Sequence, residues 1–179
     1  MKKQLIALLA LFGVLTNACQ NQPSAPSTKS LSIPKLSCAV HYPATWTVAI
    51  TGRDSNQYSF LEPFKDSTDH FSTRISLWNE KMPFNLTADD YNQGVITLIK
   101  LSNRGLHIDP LPADSTKGNK FLGYTFGFAD SDSNRITVYG YTLLRDSFAY
   151  NITLTCETEQ AIAYHDTLKQ FLHTFTYRP

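Results

Sequence analysis

The chain has little of what most specialised protein classes require. Three cysteines in 179 residues are too few for a disulfide scaffold. Charged residues make up only 17% and the net charge is +1, with no stripe of Lys or Arg. Binding through neutralisation of nucleic-acid phosphates is therefore excluded. No apolar run reaches the roughly 20 residues that a bilayer-spanning helix needs. HExxH, GxGxxG and GxxxxGK[ST] are all missing, which removes the zinc-protease, dinucleotide and P-loop signatures. No internal repeat occurs. Aromatic residues, by contrast, are plentiful: 11 Phe, 9 Tyr and 2 Trp are too many for a disordered chain, and the length suits one domain.

The first segment is of a different kind from the rest. Met1-Lys2-Lys3 gives a basic start, and the uncharged run from Leu5 to Leu15 follows it. Too short to cross a membrane, the run has the form of a signal peptide over residues 1–18. It ends in Leu15-Thr16-Asn17-Ala18-Cys19, which resembles the lipobox of bacterial lipoproteins. Ala18 and Cys19 match that pattern; Thr16 and Asn17 depart from it. The resemblance implies acylation of Cys19, palmitate included, and anchoring at about 0.8 kcal/mol per buried CH₂. An ordinary signal peptidase cutting after Ala18 would leave the same N-terminus on a secreted or periplasmic protein. Residue 20 is Gln rather than the Asp that retains many such lipoproteins at the inner membrane. Outer-membrane sorting with the domain facing the periplasm is the resulting expectation. Cleavage removes two of the 16 basic residues and none of the 15 acidic ones, so the net charge turns from +1 to −1.

Two cysteines remain in that oxidising compartment, Cys38 and Cys156. Both fall in expected strands, and a bridge requires those strands to be neighbours. Such a bridge would close most of the domain into one loop, worth about 4–5 kcal/mol in the chain-entropy model. The alternative is two buried free thiols acting as small hydrophobes.

Residues 19–35 carry Pro23, Pro26 and Pro34, several serines and no aromatic residue, and read as a lipid-anchored flexible tether. The domain is expected over 36–179. Short strands are expected at 36–42, 46–51, 58–61 and 73–79, with a polar loop at 62–72. Thr87 is a natural N-cap, with Asp89 and Asp90 in the first turn where the helix dipole favours them. Tyr91, Val95, Leu98 and Ile99 would form the buried stripe of that helix, and Gly105 suits its left-handed end. A short strand at 106–109 precedes three long ones at 120–129, 135–144 and 148–156. A second helix follows, with Thr158 as cap and an apolar face of Ala161, Tyr164, His165, Leu168, Phe171, Leu172 and Phe175. Antiparallel strands flanked by two amphipathic helices give an α+β class.

No catalytic constellation emerges. His165 and His173 stand eight apart on one helix, too far for joint ligation without a partner between them. Asp130, Asp132 and Asn134 have the odd spacing that opens a calcium loop, but Arg135 and Tyr141 occupy the positions needing Gly and Glu. Gly123-Tyr124-Thr125-Phe126-Gly127 looks like a nucleophile elbow with Thr for Ser. It lies in a continuous strand, where its glycines admit a close neighbour. No cofactor and no metal site is expected.

The specific local pattern is Ala39-Val40-His41-Tyr42-Pro43-Ala44-Thr45-Trp46. Pro43 ends one strand and fixes a tight turn, and Trp46 anchors the next strand through its large apolar area. This resembles the YPxxW opening of PsbP-like domains, the superfamily of the photosystem extrinsic protein P and of bacterial lipoproteins such as DcrB. The resemblance covers residues 37–177 and includes the Gly123-Tyr124 strand and the final helix ending in Phe175. It implies an α/β/α sandwich around an antiparallel sheet. It implies no shared activity, and Tyr42, Pro43 and Trp46 match as fold residues only. The expectation is a non-catalytic envelope lipoprotein that binds an unidentified envelope protein partner or assists assembly. The rival expectation is a small-molecule or metal-ion binder using loop 62–72 with His70 and the turn from Asp130 to Asn134; a hydrolase ranks third.

Overall fold

Among the described residues, runs of β-branched and aromatic side chains, broken by short polar turns, build ten strands and two α-helices. The computed structural model describes residues 27–52, 56–65, 71–83 and 86–178. In chain order the elements are β1 (Thr28–Ile33), β2 (Cys38–Pro43), β3 (Thr47–Thr51), β4 (Gln57–Leu61), β5 (Arg74–Lys81) and α1 (Ala88–Ser102). There follow β6 (Ile108–Thr116), β7 (Asn119–Ala129), β8 (Arg135–Arg145), β9 (Phe148–Glu157), α2 (Ala161–Thr174) and β10 (Thr176–Tyr177). Seven strands form an antiparallel sheet in the order β3-β4-β5-β9-β8-β7-β6, and β1-β2-β10 form a smaller second sheet.

Side-chain alternation assigns the helices to faces. Phe60 packs against Phe171 of α2 at 5.0 Å, and Tyr150 packs against Phe175 at its end at 5.4 Å. Register places Ile75, Ile152 and Tyr141 on this same face. The opposite face carries Tyr124, which clusters with Ile96 of α1 and Ile108. The small sheet lies on the α2 side, with Cys38 and Val40 of β2 in the same core as Phe171. The order is α1, large sheet, then α2 with the small sheet, an α/β/α sandwich.

The β7–β8 pair owes its closeness to two glycines. Gly123 stands opposite Tyr141 and Gly140 opposite Tyr124. A Cβ on Gly140 would run into the Tyr124 ring, and one on Gly123 would lie 2.7 Å from Tyr141. Each tyrosine lies flat where its partner strand has no side chain, a cross-strand pair that only glycine permits.

Four expectations need correction. The tether over 19–35 is too long at its C-terminal end, because Thr28–Ile33 is a strand paired with β2 from Thr28↔Pro43 to Ile33↔Cys38. Leu31 and Ile33 alternate inward, and Ile33 is buried; Ser37, in the left-handed region at φ 49°, helps turn the chain back. Tyr91, Val95 and Ile99 are half-buried, but Leu98 is 65% exposed. The buried positions of α1 are Asn92 and Ile96, one helical step away from the predicted stripe. The strand at 106–109 is a nine-residue edge strand: it tolerates Pro110 and Pro112 because an edge needs no outward donor. Thr158 opens a 3₁₀ turn rather than capping α2, and its hydroxyl pairs with that of Thr137 at 2.9 Å. The capping box at Thr87 is present, with Asp90 completing it.

Candidate functional site

Cys19 and His70 lie outside the described residues. Cys38 and Cys156 do not form the bridge weighed above; both are free and buried. Cys38 sits in the small sheet and Cys156 in the large one, so the two strands share no ladder although both side chains enter the same core. Burial pushes the Cys38 thiol up to about 12 and the Cys156 thiol up to about 11, which keeps both protonated and unreactive at neutral pH.

The Tyr42-Pro43-Ala44-Thr45-Trp46 corner is a structural joint. The Trp46 amide donates to the Pro43 carbonyl at 3.0 Å, closing the turn. Tyr42 packs on Phe60 at 5.0 Å, and Trp46 on Tyr164 at 6.3 Å. The corner thereby holds the small sheet, the large sheet and α2 together.

In the turn after β7, Asp130 Oδ1 accepts the amides of Asp132 at 2.9 Å and Asn134 at 2.8 Å. Its Oδ2 accepts Asn134 Nδ2 at 3.0 Å. Those bonds, the Asn134 side chain foremost, hold the carboxyl below its usual range, and its lone pairs are spent on closing the turn. Among the described residues no three of His, Cys, Asp and Glu converge as a metal site.

The strongest concentration of chemistry lies between α2 and β6. A register irregularity between Leu111 and Asp114 bulges the edge strand and turns Asp114 toward the helix. The cleft beneath it has a volume of about 230 Å³ and is lined by Asp114, Ser115, Tyr141, His165 and Lys169. The His165 ring stacks flat on Tyr139 at 4.2 Å and 6°, and its Nε2 meets the Tyr141 hydroxyl at 3.0 Å. Burial lowers its pKa, with the Lys169 charge adding to the effect, so the imidazole is neutral at pH 7. Burial also pushes Tyr141 up to about 12, helped by the Asp114 charge. Asp114, its side chain 14% exposed, pairs with His173 Nε2 at 3.2 Å. The cleft thus offers a cation, a carboxylate and neutral donors within one small volume. His165 is bonded to the Tyr141 hydroxyl, which burial keeps protonated at neutral pH.

Sequence reasoning placed His165 on the helix face but missed the pairing of His173 with Asp114. The usable signal was Pro110-Leu111-Pro112, which marks an edge strand where a bulge is tolerated; the residue it re-aims is fixed only by the register.

No protein-family model matches the chain, and no curated protein matches it in sequence. Solved structures do match in three dimensions. Cyanobacterial PsbP from Synechocystis superposes with a TM-score of 0.56 at 12% identity, covering 89% of this chain and 97% of that one. The Ran-binding protein Mog1p of Saccharomyces cerevisiae gives 0.61 at 12%, covering 86% and 96%. LpqN of Mycobacterium tuberculosis, described as involved in cell envelope biogenesis, gives 0.59 at 13%, covering 88% of each. The chain spans about half, 48%, of a Bacteroides thetaiotaomicron protein that it also matches, with a TM-score of 0.60 at 12% identity over 84% of this chain. The agreement over most of three whole chains, together with the helix–sheet–helix layering, shows that this chain has the PsbP-like fold.

Proposed function

We propose that this chain is a non-catalytic lipoprotein of the cell envelope, anchored through Cys19, that works by binding a protein partner. The observation that carries the reading is the shared fold over 86% and 88% of the chain with Mog1p and LpqN, one described as Ran-binding and the other as involved in envelope biogenesis. The lipobox-like end at Cys19 supports the anchor, and Gln20 supports the outer membrane, periplasmic face, as its address. No helix of the described residues is long and apolar enough to cross a membrane. The test is fractionation of cells expressing the protein and its Cys19→Ser variant, followed by gentle crosslinking and identification of what co-purifies. Anchoring predicts release of the variant from membranes; retention of the variant there would overturn it. Partner binding predicts a reproducible crosslinked protein, and its absence at native expression overturns that half.

The cleft favours a second reading, capture of a small polar molecule carrying both charges, with Asp114 facing its cation and Lys169 its anion. Native mass spectrometry of protein taken from cells, with Asp114→Asn and Lys169→Met as controls, decides it. A bound species lost in both variants supports the reading, and unliganded wild type rejects it.

A further inference from the structure

Exposed sheet edges invite pairing with other chains, and proteins guard them with charge, proline, bulges or brevity. The two sheets here have four edges, β3 and β6 in the large sheet and β1 and β10 in the small one. Three are guarded. β6 carries Asp109, Pro110, Pro112 and a bulge; β1 carries Lys29; β10 is two residues long. β3, with the sequence Thr-Val-Ala-Ile-Thr, has no charge and no proline, and pairs with β4 without a break in register. Its neighbour β4, Gln-Tyr-Ser-Phe-Leu, is uncharged as well. Ile50 stands 56% exposed on the edge.

We propose that β3 is a homotypic docking edge, at which two copies of this chain pair antiparallel about a twofold axis through Ala49. The strand's own order specifies the partner. Reversed, Thr47-Val48-Ala49-Ile50-Thr51 reads as nearly the same series: Thr faces Thr, Val faces Ile, and Ala faces Ala. An antiparallel self-pair requires that symmetry, because an isologous contact sets residue i against j and j against i. Val48 and Ile50 share the α2 side of the sheet, as their pairing with Phe60 and Tyr58 shows. The second copy lays its Val48 against the exposed Ile50, a cross-strand pair of β-branched side chains. The absence of charge matters equally, since a charge at the axis would face its own copy and one beside the axis would lie diagonally across from it. The product is one continuous 14-stranded sheet running through both molecules, with β6 and its cleft at the far ends. An unrelated extended peptide could also add to the edge, but nothing in β3 selects one, whereas the near-palindrome selects itself.

The test uses the axis. Directly opposed Cβ atoms in an antiparallel pair lie about 4.5–5.5 Å apart, close enough for a disulfide after a small adjustment. In cell extracts containing the full-length Cys19→Ser chain, Ala49→Cys should give covalent dimer on mild oxidation. The yield should be at least tenfold above that of Asp109→Cys, a more exposed cysteine on the guarded edge. Adding Ile50→Lys to Ala49→Cys should return the yield to the control level, with an unchanged melting temperature showing that the fold survives. Equal yields for Ala49→Cys and Asp109→Cys overturn the proposal. Capture of a different polypeptide by the Ala49→Cys chain also overturns it, in favour of a heterologous strand.

Discussion

The two faces of the large sheet are filled by different physics. On the α2 side an apolar cluster runs without interruption from Ile33 and Trp46 through Phe60 and Phe121 to Phe171 and Phe175. On the α1 side the cluster under the helix is smaller: Ile96, Ile108 and Tyr124 are buried, with Val95, Ile99, Leu106 and Phe126 packed around them. Beside them lies a polar network. The Tyr91 hydroxyl donates to the Glu80 carboxylate, Asn151 Nδ2 donates to Tyr91 at 2.7 Å, and Thr142 donates to Asn151 Oδ1 at 3.2 Å. Burial and that carboxylate both raise the Tyr91 pKa, so the phenol stays a donor throughout the physiological range. The α2 side binds by area, which is non-directional, and the α1 side by a few directed bonds that fix where the helix sits. Leu98 and Leu101 on the outside of α1, 65% and 70% exposed, add nothing to its hold.

That contrast can be broken at its strong end first. Phe171→Ala removes the ring that packs against Phe60 and should cost about 3–5 kcal/mol in urea unfolding. Ile96→Ala, in the smaller cluster, should cost about 2 kcal/mol, the low end for such a truncation, because the site can collapse. Equal losses would show that the faces are equally strong. Thr87→Ala removes the side-chain cap of α1 and should cost about 1 kcal/mol. Amide exchange should then accelerate in α1 while α2 stays protected, since the less secured element opens on its own. If both helices exchange together, the domain is one cooperative unit. The smallest effect belongs to His165, which faces Tyr139 and Tyr141 from the sheet, Asp114 from β6, and Asp166 and Lys169 on its own helix. Its pKa is lowered by folding from 6.5, so the unfolded chain binds more protons and stability falls as pH drops below that value. Thermal unfolding at pH 7.5 and 5.5 should show a drop in Tm that His165→Gln reduces. A drop of the same size in the variant would assign it to other groups.

These differences also explain what could be read from sequence. The long strands and α2 were legible because their apolar positions repeat with one period and face one continuous core. In α2 the residues Ala161, Leu168, Phe171, Leu172 and Phe175 are buried as the pattern requires. In α1 the same reasoning put Leu98 inward and left Asn92 and Ile96 out, because the helix turns one residue away from the stripe that its large apolar side chains suggest. The strand at Thr28–Ile33 was hidden among serines, since only Leu31 and Ile33 betray it and the rest of its hold is backbone pairing with β2. The α2–β6 cleft was illegible for a related reason. Asp114 meets His173 through a bulge, and a bulge is a property of two strands rather than of one.

The paired glycines of β7 and β8 carry a further consequence. Gly123-Tyr124 and Gly140-Tyr141 are the same dipeptide met from opposite directions, one ring on each side of the sheet. Sliding one strand by one residue would set Tyr124 against Tyr141 in one direction, piling the rings together, and Gly123 against Gly140 in the other, opening a hole. The hairpin therefore disfavours both neighbouring alignments. The register that brings the Tyr141 hydroxyl to His165 is held by the strands as well as by the turn at 130–134.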